Sequence, residues 1–546
     1  MASTAVLSTT SGTEGAASKT YDALIIGAGI TGIYQLYRLL GLGLDVRTLE
    51  AGGGVGGVWY WNGYPGCRFD SESYTYGFLF DEDLYQEWDW KEHYAGQPEI
   101  EAHLNHAVDR YGLRDKIQFD TRVTAATFDE KTDTWLVTTE AGETLRARFL
   151  LTAVGLLSHP IYPREPGLED FEGPVHHTSR WPKEKVDFKG KRVAVIGTGA
   201  SGVQLIPIVA QEAAELTIFQ RTPNWCSPLN NGLVTPDEQA ELKKLGTKGV
   251  RARLENSRGG LPHDAHPLSV FDVDDETRRA HFESLYSGSG LGIWMSNYVD
   301  VTTDLEANKV MCDFVSEKIR QRVKDPRIAE KLIPDHGFGM KRPPQETGYY
   351  EVYNQDNVTL VSLPEEPIEM FTKNGIKTSE REFEFDVIVL ATGFDFGTGA
   401  FFAIDFTGVG GAKLKDYWID GPLTQAGLLS TGFPNLLMVG GVHSATGNMP
   451  RTSEILADLA TDIIGNARRI RATRIEADPA AESEWTKHVY ARADGYLVSK
   501  ADNYFVGQNM PGKPRRMLIY LSSSLASFRE ELRVAVGEKL SRVKFS

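Results

Sequence analysis

Cysteine is scarce: the 546 residues hold three, Cys67, Cys226 and Cys312. They stand too far apart for a CxxC zinc site or a dithiol pair, and they are too few for a disulfide framework, so a reducing, cytosolic compartment is expected. Positive charge is also short, with 58 Lys+Arg against 74 Asp+Glu and a net charge of −16 at pH 7. No long basic block breaks that acidic background, which argues against a nucleic acid partner. Long apolar runs are missing too. The most apolar window of membrane-spanning length, 24–44, is interrupted by Gln35 and Arg38, so no membrane association is expected. Residues 1–19 have neither the basic start and apolar run of a signal peptide nor the arginines of a transit peptide, and read as a disordered tail.

What the chain has in excess is glycine, 54 residues, about one in ten where about 7% is usual. Excess glycine points to tight turns near ligands. At roughly 150 residues per domain the length predicts three or four domains, each able to bury a core. The segment from Ala23 to Gly32 is a short apolar strand running into Gly27-x-Gly29-x-x-Gly32, then a helical pattern (Ile33, Leu36, Tyr37, Leu40) and a second apolar strand ending at Glu50. The pattern recurs from Val193 as Gly197-Thr198-Gly199-Ala-Ser201-Gly202, with a helix to Ala213 and a strand over Leu216–Phe219. One such glycine motif is weak; two, each with its full strand, turn, helix and strand, mark two dinucleotide-binding folds.

Their differences separate the ligands. Glu50 stands where a carboxylate can accept both hydroxyls of an unphosphorylated ribose, which suits FAD or NAD. The same offset in the second unit falls on Gln220, followed by Arg221 and Thr222, so a neutral amide beside a cation replaces the carboxylate that would repel a 2′-phosphate, and NADPH is expected. A later strand, Phe383–Leu390 before Ala-Thr-Gly393, and its earlier counterpart Leu150–Gly155 mark crossings between the two folds. Between them, Thr222–Ile333 is rich in charge and helical pattern. Thr235-Pro-Asp-Glu238 reads as a capping box, and Val310, Met311, Phe314, Val315, Ile319 and Val323 form an amphipathic stripe, best read as core packing in a helical insertion.

Just before the second glycine turn, Phe171-Glu-Gly173-Pro-Val-His-His177-Thr-Ser-Arg-Trp181-Pro182 matches FxGxxxHxxxW(P). A longer signature, Gly56-Gly57-Val-Trp59 to Asp70, carries the same likeness. By these motifs the chain resembles the type I Baeyer-Villiger monooxygenases, similar to cyclohexanone and phenylacetone monooxygenases, over nearly its whole length after the tail. The resemblance implies an α/β protein of two Rossmann-like domains with a helical insertion. The expected division is an FAD-binding domain over 20–154 and 388–546, an NADP-binding domain over 155–222 and 334–387, and the insertion over 223–333. It implies permanently bound FAD, NADPH as reductant, a ketone and O2 as substrates, and a monomer or weak homodimer.

The resemblance also assigns residues. Arg342, in Gly339-Met-Lys341-Arg342-Pro343, matches the family's active-site arginine. There it would hold a flavin C4a-peroxide deprotonated while it attacks the ketone, and stabilise the Criegee-type adduct; unlike lysine, it keeps its proton. Asp70 would orient it. Gly57, Trp59 and Asp70 would border the flavin, Lys341 would join Arg221 and Thr222 at the NADPH phosphate, and NADP+ would stay to shield the site. His177 would couple the domains at their link and not take part in the chemistry. Asn503–Lys513 resembles the family's mobile loop, with Tyr504 where tryptophan is frequent. Val442, His443, Ser444 and Thr446 would line the ketone pocket.

Three other functions share parts of this pattern. A flavin monooxygenase of amines or sulfides shares the paired folds, but Trp181-Pro182 and Arg342 favour the ketone enzyme. A pyridine-nucleotide disulfide reductase needs a CxxxxC dithiol that three dispersed cysteines cannot provide. A redox-inactive nucleotide sensor would carry the glycine turns alone. No metal is implied.

Overall fold

The computed structural model describes residues 19–444 and 447–546. Of the expected tail only Lys19 falls among them, paired with Asp45 at 2.8 Å, and Thr446 lies outside the described residues. Strand β1 (Thr20–Ile26) is fully apolar from Ala23 onward and buried there, as a strand with neighbours on both sides and helices on its faces must be. It runs through Gly27 into helix α1 (Ile30–Gly41) and returns as β2 (Val46–Leu49), parallel to β1 with Ala23 opposite Val46. β3 (Ile117–Gln118) extends the sheet past β2, while β4 (Val123–Asp129), β5 (Thr134–Thr139) and β6 (Thr144–Thr152) form an antiparallel meander whose last strand lies parallel to β1.

The second sheet comprises β7 (Val175–His177), β8 (Arg192–Ile196), β9 (Glu215–Gln220), β10 (Val358–Ser362) and β11 (Val387–Leu390), in the order β10–β9–β8–β11–β7, all parallel. Helix α2 (Ala200–Glu212) joins β8 to β9. Helices α3 (Pro236–Glu255), α4 (Asp275–Ser287), α5 (Leu305–Arg322) and α6 (Pro326–Leu332) fill the span between β9 and β10. The capping box opens α3: Thr235 Oγ1 accepts from the Glu238 amide at 3.3 Å, and the Thr235 amide donates to Glu238 Oε2 at 2.7 Å. Met311, Phe314, Val315 and Ile319 form the buried face of α5.

The chain then returns to the first sheet as β12 (Asp405–Thr407), which pairs with β4, and β13 (Leu436–Met438), which pairs with β6. Helix α7 (Met449–Ile470) packs on α1 through Thr31–Ser453, Tyr34–Asp458 and Gln35–Thr461 hydrogen bonds of 2.7, 2.8 and 3.0 Å. The expected domain boundary at 388 falls inside β11 and is corrected here. Val387–Leu390 is paired with Val193–Ile196 on one side and Val175–His177 on the other, so the crossing follows Leu390. An apolar run with partners on both edges is an interior strand and cannot be cut. The two crossings run side by side, with Ile161 N donating to Gly393 O at 3.0 Å and Asp395 N to His159 O at 2.9 Å. Among the described residues no helix is long and apolar enough to cross a membrane.

Candidate active site

Both glycine turns open onto one cavity of about 1230 Å³ lying between the sheets and the helical insertion. In each turn the first and third glycines leave no room for a side chain. At Gly27 φ is +103°, and a Cβ would lie 2.5 Å from Ala153 O; at Gly32 it would lie 1.9 Å from Gly27 O. In the second turn Gly197 has φ +109°, and a Cβ on Gly202 would lie 2.2 Å from Gly197 O. These contacts bring each helix N-terminus tight against its strand, and the amides there face the cavity as an anion site. Gly29 and Gly57 approach so closely that a Cβ on Gly57 would stand 3.0 Å from Gly29 Cα. Gly27, Gly29, Gly57 and Trp59 line the first half; Gly197, Thr198, Gly199, Ser201 and Thr222 line the second. A pair of such cradles fits two dinucleotides.

Glu50 ends β2 with both oxygens aimed at backbone: Oε2 accepts from Ala28 N at 2.7 Å and Oε1 from Gly52 N at 2.8 Å. Burial raises its pKa and those two amides lower it in part. In the second fold Gln220 does not face the cavity. It is buried and donates to Lys331 O at 2.7 Å, which ties β9 to α6. The exposed Arg221 and the half-buried Lys341 do face it, and among the described residues neither has a carboxylate within 4.0 Å. Burial and the neighbouring Arg221 both lower the Lys341 pKa, against Asp335. Two unneutralised cations feeling each other across a cavity wall are suited to a dianion.

Arg342 and Asp70, 272 residues apart, meet in a bidentate pair, Nη1–Oδ2 2.6 Å and Nη2–Oδ1 2.5 Å, and both face the cavity. Burial opposes the guanidinium charge, yet Asp70 outweighs it and lifts the Arg342 pKa above the ordinary arginine value. The loop is held by residues the sequence did not single out. Asn308 on α5 receives Phe338 N at 2.9 Å and donates to Phe338 O at 2.8 Å; Asn503 donates to Met340 O at 2.9 Å. Gly339 has φ +73° and lies against Trp294, where a Cβ would be 2.6 Å from the indole nitrogen. Tyr504 packs on Phe396, the ring centroids 4.9 Å apart and the planes tilted by 51°. Burial pushes its pKa up to about 12 while the nearby Arg342 pulls it down, so its phenol is protonated at neutral pH.

The fingerprint sits at the junction of the folds. His177 ends β7, and its Nε2 lies 3.2 Å from Ile161 O on one crossing and 3.2 Å from Thr392 Oγ1 on the other. Its Nδ1 accepts from Ser179 N at 3.0 Å. Phe171 is buried in the second sheet's core, and Gly173 leaves room for its ring, 2.7 Å from where a Cβ would be. Trp181 N donates to Trp61 O at 3.2 Å, and Arg180 covers the Trp61 ring at 4.7 Å, joining the fingerprint to the 56–70 signature.

For Val442, His443 and Ser444 the expected place in the ketone pocket is corrected. Val442, His443 and Ser444 are 0–1% exposed and none lines the cavity. His443 takes φ +59° and turns inward, its Nδ1 3.0 Å from Thr424 Oγ1, while Ser444 Oγ donates to Gly441 O. Arg258, Leu261, Leu291, Trp294 and Met295 of the insertion, with Tyr496, line the cavity instead. In sequence those apolar residues are indistinguishable from core.

Burial lowers the pKa of His177 to about 4 and that of His443 to about 4. An unfolded histidine titrates near 6.5, so both folded rings are neutral at pH 7, and below pH 6.5 the unfolded chain binds protons the fold refuses. Their contribution is complete above about 6.5 and is lost as pH falls toward 4, at about 1.4 kcal/mol per pH unit for each ring. The thermal midpoint is expected to fall across that window, and His443→Gln, which removes one titration, to flatten the fall. An identical pH profile of Tm in the variant contradicts the assignment.

Residues 21–230 match the flavin-binding monooxygenase-like family. The chain is 43% identical over 521 residues to the 2-oxo-Delta(3)-4,5,5-trimethylcyclopentenylacetyl-CoA monooxygenase of Pseudomonas putida, covering 93% of this chain and 95% of the relative. It is 42% identical over 507 residues to the acetone monooxygenase (methyl acetate-forming) of Gordonia sp. (strain TY-5), covering 92% and 95%. Among solved structures, OTEMO in complex with FAD and NADP superposes with a TM-score of 0.92 at 41% identity, covering 97% of this chain and all of that one.

Proposed function

The chain belongs to the Baeyer-Villiger monooxygenases, and on that premise we propose that it uses the Arg342–Asp70 pair to insert one atom of O2 beside a ketone carbonyl. The reaction is ketone + O2 + NADPH + H⁺ to ester or lactone + NADP⁺ + H2O. Acetone to methyl acetate, named for the Gordonia relative, is an instance of it. The observation that carries the reading is the bidentate pair facing the cavity onto which both dinucleotide cradles open. An amine or sulfide oxygenase, the runner-up, has no carbonyl oxygen whose charge a fixed cation must hold.

FAD supplies, once NADPH has reduced it, the activation of O2. The first glycine turn and Glu50 would hold its diphosphate and ribose; the second turn, Thr198 and Ser201 would hold that of NADPH. Negative charge gathers on oxygen as a carbonyl is attacked, and Arg342 can stabilise it without handing over a proton. Asp70 fixes the guanidinium plane and balances its charge before substrate enters. Tyr504, protonated and beside Arg342, closes the cavity over it. His177 would keep the two crossings in register, acting on domain geometry and not on the reaction.

Arg221 and Lys341 would bind the 2′-phosphate. Arg221→Ala and Lys341→Ala are each expected to lower the ratio of kcat/KM for NADPH over NADH by roughly tenfold or more, the worth of one charge-assisted contact. An unchanged ratio assigns the wrong cations. The reaction itself is tested by offering acetone, cyclopentanone, cyclohexanone, a thioether and a tertiary amine to the FAD-loaded protein with NADPH. Esters or lactones one oxygen heavier are expected; oxygenation of the thioether or amine with no ketone product would overturn the reading.

A further inference from the structure

Several cations that line the cavity have no part in that scheme, and Arg258 is one of them. Arg258 lies in the short turn Arg258–Gly260 of the insertion and faces the cavity beside Leu261, Leu291 and Met295, an apolar cluster of its own. Its guanidinium stands 5.1 Å from the Tyr496 ring centroid. Among the described residues it has no carboxylate within 4.0 Å and donates no side-chain hydrogen bond. Arg342 and Arg322, by contrast, are paired, the first with Asp70 and the second with Glu346 and Glu351. Burial lowers the Arg258 pKa, and the face of Tyr496 offsets this only in part. Half-buried on the cavity wall with no carboxylate within 4.0 Å among the described residues, its five donors are open to a ligand that accepts from them.

The turn that carries Arg258 is fixed. Gly259 and Gly260 take φ of +63° and +66°, Asn448 N donates to Gly259 O at 2.8 Å, and a Cβ on Gly447 would be 2.2 Å from that oxygen. The side chain is therefore presented by rigid backbone against the start of α7. It lines the same cavity as the glycine turns, whose amides, with Arg221 and Lys341, would already serve the dinucleotide phosphates.

We propose that Arg258 is a carboxylate-binding residue of the substrate pocket, and that the enzyme accepts ketones bearing an acid group, with the carbonyl at Arg342 and the carboxylate at Arg258. The planar fork of arginine matches a carboxylate in two parallel hydrogen bonds, and exclusion of water by Leu261 and Met295 strengthens them. This rests on the ketone reading of the same cavity, and the test keeps the two apart.

The full-length FAD-loaded protein is titrated with cyclohexanecarboxylate, which has no ketone, and binding is followed by flavin absorbance in wild type, Arg258→Gln and Arg258→Lys. Separately, kcat/KM is measured for 4-oxocyclohexanecarboxylate and 3-(4-oxocyclohexyl)propanoate, each against its methyl ester. Wild type is expected to prefer at least one acid to its ester by roughly 10- to 100-fold, the range of a charged hydrogen-bonded pair. Arg258→Gln is expected to abolish that preference, lowering kcat/KM for the acid by a similar factor more than for its ester, and to weaken carboxylate binding; Arg258→Lys recovers part of it. Equal kcat/KM for acid and ester in wild type overturns the proposal, as does an equal loss on both in Arg258→Gln, or a loss that appears in KM for NADPH instead. If no ketone is oxidised the ketone reading fails, and cyclohexanecarboxylate binding that depends on Arg258 still supports the anion site, while binding indifferent to it sinks the site. Should Arg258→Gln not fold, the wild-type acid-to-ester ratio and Arg258→Lys decide.

Discussion

Arg342→Ala is expected to lower lactone formation from cyclohexanone by roughly 100- to 1000-fold in kcat, the effect of deleting one preorganised oxyanion donor. NADPH is expected to be consumed all the same, with its electrons appearing as hydrogen peroxide, because the nucleotide cradles lie on other elements. The loss should exceed a simple deletion, since Asp70 is then left in the site without its bidentate partner and opposes the negative charge that gathers on oxygen. Adding Asp70→Asn to Arg342→Ala removes that unpaired charge; it is expected to raise thermal stability over the single variant without restoring product. Arg342→Lys keeps a charge but loses the fork, and is expected to remain far below wild type. Ketone turnover near the wild-type rate in Arg342→Ala would remove the arginine from the chemistry.

The second large effect is expected from glycines that have no side chain to lose. In Gly32→Ala the new methyl must be placed where Gly27 O stands 1.9 Å away, so the β1–α1 turn has to open. The amides that face the first dinucleotide then move apart, and the purified protein is expected to retain less than about one-tenth of the flavin per chain, read from its visible absorbance. Gly202→Ala makes the matching clash, 2.2 Å from Gly197 O, in the other fold. That variant is expected to keep its yellow colour and to raise KM for NADPH by roughly tenfold or more. Loss of flavin from Gly202→Ala, or its full retention in Gly32→Ala, would mean that the two cradles have been assigned to the wrong nucleotides.

Those glycine turns were legible in the sequence because a tight strand-to-helix turn leaves the residue type no freedom. The capping box at Thr235 and the stripe on α5 were legible for the same reason, local geometry written in local spacing. The Arg342–Asp70 contact was reachable only through resemblance, since nothing local to either residue signals a partner 272 positions away. The boundary at 388 failed because an apolar run such as Val387–Leu390 looks the same whichever sheet receives it. His443 failed because small and polar neighbours suggest a pocket, while the positive φ that turns the backbone inward leaves no mark in a non-glycine residue. Asn308 and Arg258 passed unnoticed as an ordinary helix residue and an ordinary surface charge. Their significance depends on what the fold withholds from them or brings to them, the Phe338 backbone in one case and, among the described residues, the lack of a carboxylate within 4.0 Å in the other.

The account turns on delivery of an oxygen atom from O2 to the carbon of a carbonyl held at Arg342. Its most direct test is a turnover of the FAD-loaded protein with NADPH, cyclohexanone and ¹⁸O2, the product being fragmented in a mass spectrometer. Wild type is expected to yield a lactone with one ¹⁸O in the ring and an unlabelled carbonyl, and Arg342→Ala to divert the label to hydrogen peroxide. An unlabelled lactone, or a labelled one formed equally well without Arg342, would contradict it.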